Sequence, residues 1–229
     1  MNQPLVSIII PTYNGEKFLR DALQSVITQS YPHWELLVID NGSTDLTKEI
    51  VMSFPRAQYF FLENRNVNSA RNTGVQHSRG EYIAFLDHDD MWNIEKLTKQ
   101  VAFLEENDEY MAAVCHQQMY LQPGYSKPHW LKEAFLQRAM PAYLPSALLM
   151  RKSALNSSDF FDESLLHTSD VEWFFRVKDQ GLKVKLLEET LVERRIHEDN
   201  ASNNVQNLQK ELLIIIKNSL NFRRNIHAC

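Results

Sequence analysis

Residues 81–90 read Glu-Tyr-Ile-Ala-Phe-Leu-Asp-His-Asp-Asp, so a short apolar run delivers three carboxylates, Asp87, Asp89 and Asp90, within four positions. Carboxylates crowded at the end of a buried strand repel one another and resist desolvation, so a cation usually stabilises them. A divalent metal with oxygen ligands would do so. The alternative is a solvated acidic turn that caps the helix expected to start near Asn93. Two other apolar runs end in comparable groups. Residues 5–10 lead into Pro11, Thr12, Tyr13 and Asn14, and residues 35–39 into Asp40, Asn41, Gly42 and Ser43. In a doubly wound sheet, ligands bind beyond the carboxyl ends of the strands, which would gather these groups on one rim. There Asp40 can accept from a base or ribose, Tyr13 can stack on a ring, and Asp87 and Asp89 can hold ribose and metal. Taken singly, Asp40 can equally cap a turn and Tyr13 can equally pack; three coincident strand ends favour a site.

The elements that must position these groups follow from periodicity. Continuous apolar, β-branched runs predict strands at residues 5–10, 35–39, 57–62 and 82–86. Between them the spacing predicts a helix from Asn14 with Phe18, Ala22, Leu23, Val26 and Ile27 on one face. A second helix runs to about Ser53, residues 64–68 form a polar loop, and a third helix covers 69–78. Strand and helix alternate, so the expected fold class is α/β with a doubly wound, mostly parallel sheet. Farther on, Ile94, Leu97, Val101 and Leu104 fall at helical spacing and residues 111–115 suit a strand. Residues 117–143 read as irregular and partly helical, and residues 146–150 are short and apolar. A helix over 171–180 closes at Gly181, short strands occupy 183–187 and 191–196, and an amphipathic helix runs from Val205 to about Leu220.

A chain of 229 residues can bury one substantial core, and its 44% hydrophobic and 23% charged content is that of a soluble globular protein. The net charge of −5 argues against nucleic acid as a partner. Cys115 and Cys229 offer neither a disulfide framework nor zinc-ligand spacing. With no apolar run near the ~20 residues of a membrane span, and no signal-peptide pattern around Pro4, the expectation is a cytoplasmic protein.

Four ordered segments carry a family resemblance: Val6 to Asn14, Leu37 to Asp45, Ala70-Arg71-Asn72-Thr73-Gly74, and Gly80 to Asp90. Together they resemble the successive motifs of family 2 glycosyltransferases, whose fold is GT-A, densely over residues 5 to about 105. The resemblance implies an inverting transfer from a nucleotide-sugar donor, with uridine the expected base, to a saccharide or lipid-linked acceptor. It implies a Mn²⁺ or Mg²⁺ cofactor at the Asp-X-Asp element, with Asp89 as direct ligand and Asp87 beside it near the ribose. Pro11, Thr12, Tyr13, Asp40, Arg71 and His88 would line the nucleotide-sugar pocket. Phe161-Asp162-Glu163 resembles the family's segment before the acceptor-site helix, and Ser169 to Arg176 resembles the segment bearing the base, which makes Asp170 the expected general base and Glu172 a rival. Arg195-Ile196-His197, with Asn200 and Ser202, resembles the family's Arg-x-His segment, so His197 is a candidate to complete the metal or diphosphate site.

Two positions depart from the family pattern. Ser169 stands where many relatives have Glu, and His88 where a small residue is usual. These departures leave room for a nucleotide-sugar-binding protein without transfer activity. A sugar nucleotidyltransferase is disfavoured, because no Gly-rich, Arg-containing loop follows the first strand. The chain has no Gln-x-x-Arg-Trp element of processive members. On this reading residues 1–118 form the nucleotide-sugar half of one domain, 119–200 the acceptor half and 201–229 a helical extension. The acceptor half holds aromatic residues such as Trp130, able to stack on a sugar or simply to fill core. The extension would dock on the domain, pair with a second copy as a homo-oligomer, or touch the inner face of a membrane. Asp90 is left to cap the following helix.

Overall fold

Burial on both faces sets the first half of the molecule. In the computed structural model, which describes residues 3–63, 66–154, 160–200, 203 and 205–226, strands β1 (Val6–Thr12) and β2 (Trp34–Asp40) are buried at every position. That pattern requires helices on both sides of a parallel sheet. β3 (Ala57–Phe61) and β4 (Tyr82–Phe85) flank them, giving the parallel order β3-β2-β1-β4. Alternate residues of β1 serve opposite layers. Ile8 and Ile10 join Leu19, Leu23 and Val26 of α1 (Leu19–Ile27), whereas Ile9 packs with Ala70 and Val75 of α3 (Val67–His77). The second layer is tight: a Cβ on Gly74 would lie 2.4 Å from Ile9 Cγ2. Between α1 and α3 lies the short α2 (Thr47–Met52).

The second half extends the same sheet. It comprises β5 (Met91–Trp92), α4 (Lys96–Glu106), β6 (Tyr110–Leu121), α5 (Glu133–Gln137), β7 (Met140–Pro141), β8 (Leu149–Arg151), α6 (Ser169–Asp179), β9 (Lys183–Ile196) and α7 (Val205–Ile226). β8 is antiparallel to both β4 and β6, and β9 runs parallel to β6 and carries β5 on its far edge. α7 docks on α6: Ile215 and Ser219 are buried, and Arg223 Nε donates to Asp179 at 2.7 Å. Among the described residues no helix is long and apolar enough to cross a membrane.

Several expectations need correction. Residues 117–121 continue β6 rather than opening an irregular segment, because they pair with residues 192–196. Residues 183–196 are one strand; polar Glu188, Glu189 and Thr190 at its register shift hide its continuity in the sequence. The helix expected from Asn14 begins at Leu19, because Asn14 occupies a left-handed turn (φ 48°) and its side chain accepts from Thr44 N–H instead. α3 starts earlier than expected, with Asn66 accepting from Asn68 and Ser69 N–H as its cap. Asp90 caps no helix: α4 begins at Lys96, and Asp90 is 4% exposed. Asn64, Ser202 and Cys229 lie outside the described residues.

One core residue conflicts with its surroundings. Lys96 is fully buried, its Nζ donating to Gln100 Oε1 at 2.8 Å and lying 4.0 Å from the Trp92 ring centre. Burial pulls its pKa from 10.5 to about 8. Between those values the unfolded chain binds more protons than the folded one, so this group makes stability rise with pH across that window and is most costly below it. Lys96→Met is expected to raise stability near neutral pH by about 1–2 kcal/mol and to flatten that rise. Urea unfolding at neutral and at alkaline pH measures both effects.

Candidate active site

The register brings the three polar strand ends together. Thr12 of β1 lies opposite Asp40 of β2, and Leu86 N–H, just past β4, donates to Ile9 O at 3.0 Å. Two adjoining cavities open on this rim. The larger, about 840 Å³, is lined by Pro11, Thr12, Tyr13 and Asn41 and reaches His197; the smaller, about 380 Å³, holds Arg71, Asp87 and Asp170. Pro11, His88 and Asp89 line both. Both volumes lie in the range of small-molecule sites.

Each crowded carboxylate has its own counterpart. Asp87 Oδ1 accepts from Arg71 Nη2 of α3 at 2.7 Å. Asp89 Oδ2 lies 3.0 Å from His197 Nε2 and accepts from Asn200 Nδ2 at 3.0 Å. Asp199 N–H donates to the other ring nitrogen of His197, so Nε2 carries the proton toward Asp89. Burial acts to raise the Asp89 pKa, but the His197 hydrogen bond and the electrostatic interactions with His88 and His197 outweigh it and hold the group below the usual carboxylate range. Asp90 goes the other way: burial first, then the charges of Asp89 and Asp87, push it well up. Its oxygens accept from Ser146 Oγ at 2.8 Å and Arg195 N–H at 3.2 Å.

Asp170 stands in the first turn of α6, where its Oδ1 accepts from Val171 N–H at 2.9 Å. Burial raises its pKa; the charge of Arg71 opposes the rise and that of Asp87 adds to it. A carboxylate so raised accepts a proton more readily than an ordinary one. Its rival Glu172 faces away from this cleft and is held by Arg176 Nε at 2.9 Å.

The remaining predicted residues divide. Thr12 Oγ1 is a buried polar atom without a partner among the described residues, and Tyr13 is 37% exposed at the cavity wall. His88 sits over Gly15, where a Cβ would come within 3.2 Å of its ring and 2.4 Å of Thr12 Oγ1. Asp40 turns inward: it accepts from Ser43 N–H at 2.9 Å and Tyr59 Oη at 2.7 Å, and does not line the cavity. Its neighbour Asn41 does line it, with Oδ1 buried and lacking a partner.

Sequence reasoning missed Asn68 and Ser146. Asn68 is fully buried, donating to Leu165 O at 2.6 Å and accepting from Ser169 Oγ at 2.6 Å. The available signal was the pair Asn68 and Asn72, four apart on one helix face, both of which bond to the segment before α6. Ser146 carried no such signal, because its partners are distant in sequence.

With this geometry in view, known proteins add a decisive match: the model for glycosyl transferase family 2 covers residues 7–163. The chain belongs to that family. An uncharacterized glycosyltransferase of Rickettsia typhi is 32% identical, over 91% of this chain and 69% of its own. A UDP-Glc:α-D-GlcNAc-diphosphoundecaprenol β-1,3-glucosyltransferase of Escherichia coli is 40% identical over 47% of this chain, which spans only 44% of that enzyme. The mannosyltransferase of Pyrobaculum calidifontis, solved with GDP-Man and Mn²⁺, superposes with a TM-score of 0.70 at 17% identity, covering 99% of this chain and 71% of its own. The fold of this family 2 glycosyltransferase is therefore GT-A.

Arg195 ties the site to the sheet. Its guanidinium donates to Asp89 O (3.0 Å), Gln122 Oε1 (2.6 Å) and Asp21 Oδ2 (2.8 Å), and lies 4.6 Å from the Phe18 ring centre. A lysine lacks the planar fork that makes these contacts at once. Arg195→Lys is expected to cost about 2–4 kcal/mol in denaturant unfolding.

Proposed function

We propose that this protein is an inverting, metal-dependent glycosyltransferase that moves one sugar from a UDP-sugar to a hydroxyl of a saccharide or lipid-linked acceptor. The observation that carries the reading is the placement of Asp170, a carboxylate with a raised pKa, in the cleft that Asp87 and Asp89 also line. Polysaccharide or glycolipid biosynthesis is the setting that the Escherichia coli relative supports, and UDP is the nucleotide in that relative's name.

The larger cavity takes the nucleotide. The unpartnered Thr12 Oγ1 and Asn41 Oδ1 offer hydrogen bonds to it, and Tyr13 offers a ring face. The Arg71 guanidinium, ion-paired to Asp87, steadies that carboxylate for the ribose. The residues present also fit a Mn²⁺ or Mg²⁺ ion. Asp89 Oδ2 would supply an oxygen ligand, and His197 Nε2, 3.0 Å away, would join it once it gives up the proton that the Asp199 N–H bond to Nδ1 leaves on it. Among the described residues no group of three His, Cys, Asp or Glu is arranged to hold a metal, so the donor's diphosphate and water would supply the other ligands. When bound, such an ion neutralises charge that builds up on the departing diphosphate.

The acceptor enters the smaller cleft. Asp170 takes the proton of its hydroxyl as that oxygen bonds to the anomeric carbon. The bond from that carbon to the diphosphate oxygen breaks, and the nucleoside diphosphate leaves from the opposite side of the sugar. The base works only when ionised, so the acid limb of the pH–rate profile is expected above the ordinary carboxylate range. Asp170→Asn is expected to lower kcat by about 10²–10⁴-fold while preserving nucleoside diphosphate binding in calorimetry. Asp89→Ala or chelation is expected to abolish transfer. Full activity of Asp89→Ala under excess chelator would reject the metal assignment, and undiminished activity of Asp170→Asn the base assignment.

A further inference from the structure

Asp170 depends on its helix for its place. Its Oδ1 accepts from Val171 N–H in the same turn, and among the described residues no other element donates a hydrogen bond to its carboxylate. The carboxylate therefore goes where the start of α6 goes. The helix itself fixes that start weakly: its N-cap, Thr168, makes no side-chain cap, and the Thr168 hydroxyl donates to Glu211 of α7 at 2.7 Å. Ser169, 3% exposed, is held by α3 instead, its hydroxyl donating to Asn68 Oδ1 at 2.6 Å.

Asn68 is fully buried and engages its whole amide. Its Nδ2 donates to Leu165 O at 2.6 Å and to Asp162 O at 3.2 Å, and its Oδ1, besides accepting from Ser169, faces Arg71 Nη1 at 3.5 Å. Two other asparagines at the same end of α3 grip only the segment before α6. Asn66 Nδ2 donates to Glu163 O at 2.8 Å and Asn72 Nδ2 to Phe161 O at 3.0 Å, so that segment is fastened without Asn68. Among the described residues neither of them bonds to α6. The Arg71 that Asn68 faces is also the cation paired with Asp87 at 2.7 Å. One buried amide thus joins the turn that carries Asp170 to the ion pair at the end of β4.

We propose that Asn68 is a positioning residue for the reaction: by holding Ser169 it fixes the first turn of α6 and sets Asp170 in place relative to the Arg71–Asp87 pair. The proposal rests on the reading of Asp170 as the base and adds the residue through which α3 controls it. A reacting group misplaced by about 1 Å can lose about 10²-fold in rate, so a single buried hydrogen bond next to the base carries weight.

The test uses the full chain with Mn²⁺ and UDP-glucose and follows hydrolysis, in which water stands in for the acceptor hydroxyl. Asn68→Ala is expected to lower kcat by about 10–10²-fold, with the KM for UDP-glucose and the calorimetric affinity for UDP unchanged. Ser169→Ala, which removes one hydroxyl, is expected to lower kcat by about three- to tenfold and serves if the first variant loses its unfolding transition. In the Asp170→Asn background either change is expected to lower kcat no further, because no base is left to misplace. Hydrogen exchange, which needs no turnover, is expected to be faster in both variants at the amides of residues 169–173 and unchanged in β1 and β2.

A kcat within about twofold of the parent in both variants, or unaltered exchange in the first turn of α6, would overturn the proposal. A loss that adds in full to that of Asp170→Asn would overturn it as well, leaving Asn68 a structural residue. Weaker UDP binding with kcat retained would give Asn68 to Arg71 and the nucleotide instead. Undiminished activity of Asp170→Asn fails the base reading separately. In that case, or if the parent chain turns over no UDP-glucose, hydrogen exchange still decides whether Asn68 anchors α6.

Discussion

The repulsion among Asp87, Asp89 and Asp90 is the constraint around which the second half of the chain is arranged. Three carboxylates at one strand end cannot all be charged and dry, and the fold treats each differently. Asp87 receives a cation from α3, Asp89 receives His197 and Asn200 from beyond β9, and Asp90 is pushed toward its neutral form beside the Ser146 hydroxyl. Ser146 then does a second job, since its Oγ accepts from Asp87 N–H at 3.1 Å and its carbonyl accepts from Trp92 Nε1 at 2.7 Å. The acidic turn is thus held from both sides by segments that follow it in sequence. The rim is completed only once β8 and β9 have joined the sheet.

Ser169 illustrates how a departure from a family pattern can be absorbed. Its hydroxyl donates to Asn68 Oδ1, the same oxygen that faces Arg71 Nη1 at 3.5 Å. A neutral Ser-Asn pair therefore occupies the position where the resemblance leads one to expect a carboxylate. Asp87 is then the carboxylate left in direct contact with Arg71, at 2.7 Å. A second carboxylate buried beside it would compete for that guanidinium and add repulsion against Asp87 and Asp170. The neutral pair fixes the start of α6 to α3 without adding charge beside Asp170.

The first half was legible because its physics is local. A parallel strand buried on both faces writes itself as a continuous apolar run, and the polar residue ending the run marks the rim; Thr12, Asp40 and Asp87 were found that way. Whether a rim residue faces the cavity was not legible. Asp40 and Asn41 are adjacent, and only the Tyr59 hydroxyl, arriving from β3, shows that the first is turned inward. The second half was harder for the same reason. β6 and β9 pair over a long stretch through irregular register, so neither strand shows a simple alternation. Asp90 was misjudged because its position near a helix start suggested a cap, whereas its burial depends on Ser146 and Arg195, far away in the chain.

The two cavities give the proposed inversion its geometric logic. Backside displacement needs the nucleophile and the leaving group on opposite sides of one carbon, with little room for water between them. Asp89 and His88 border both cavities, so under the proposed assignment one strand end would both anchor the leaving group and form the wall past which the acceptor approaches. Gly15 sets how near that wall lies to the nucleotide side: any side chain there would meet Thr12 Oγ1 and the His88 ring. His88, at first sight an intrusion into an acidic motif, thereby gains a structural rationale. It fills the space above Gly15, where a Cβ would crowd its ring, and its electrostatic interaction with Asp89 favours the ionised carboxylate at the boundary between the two cavities.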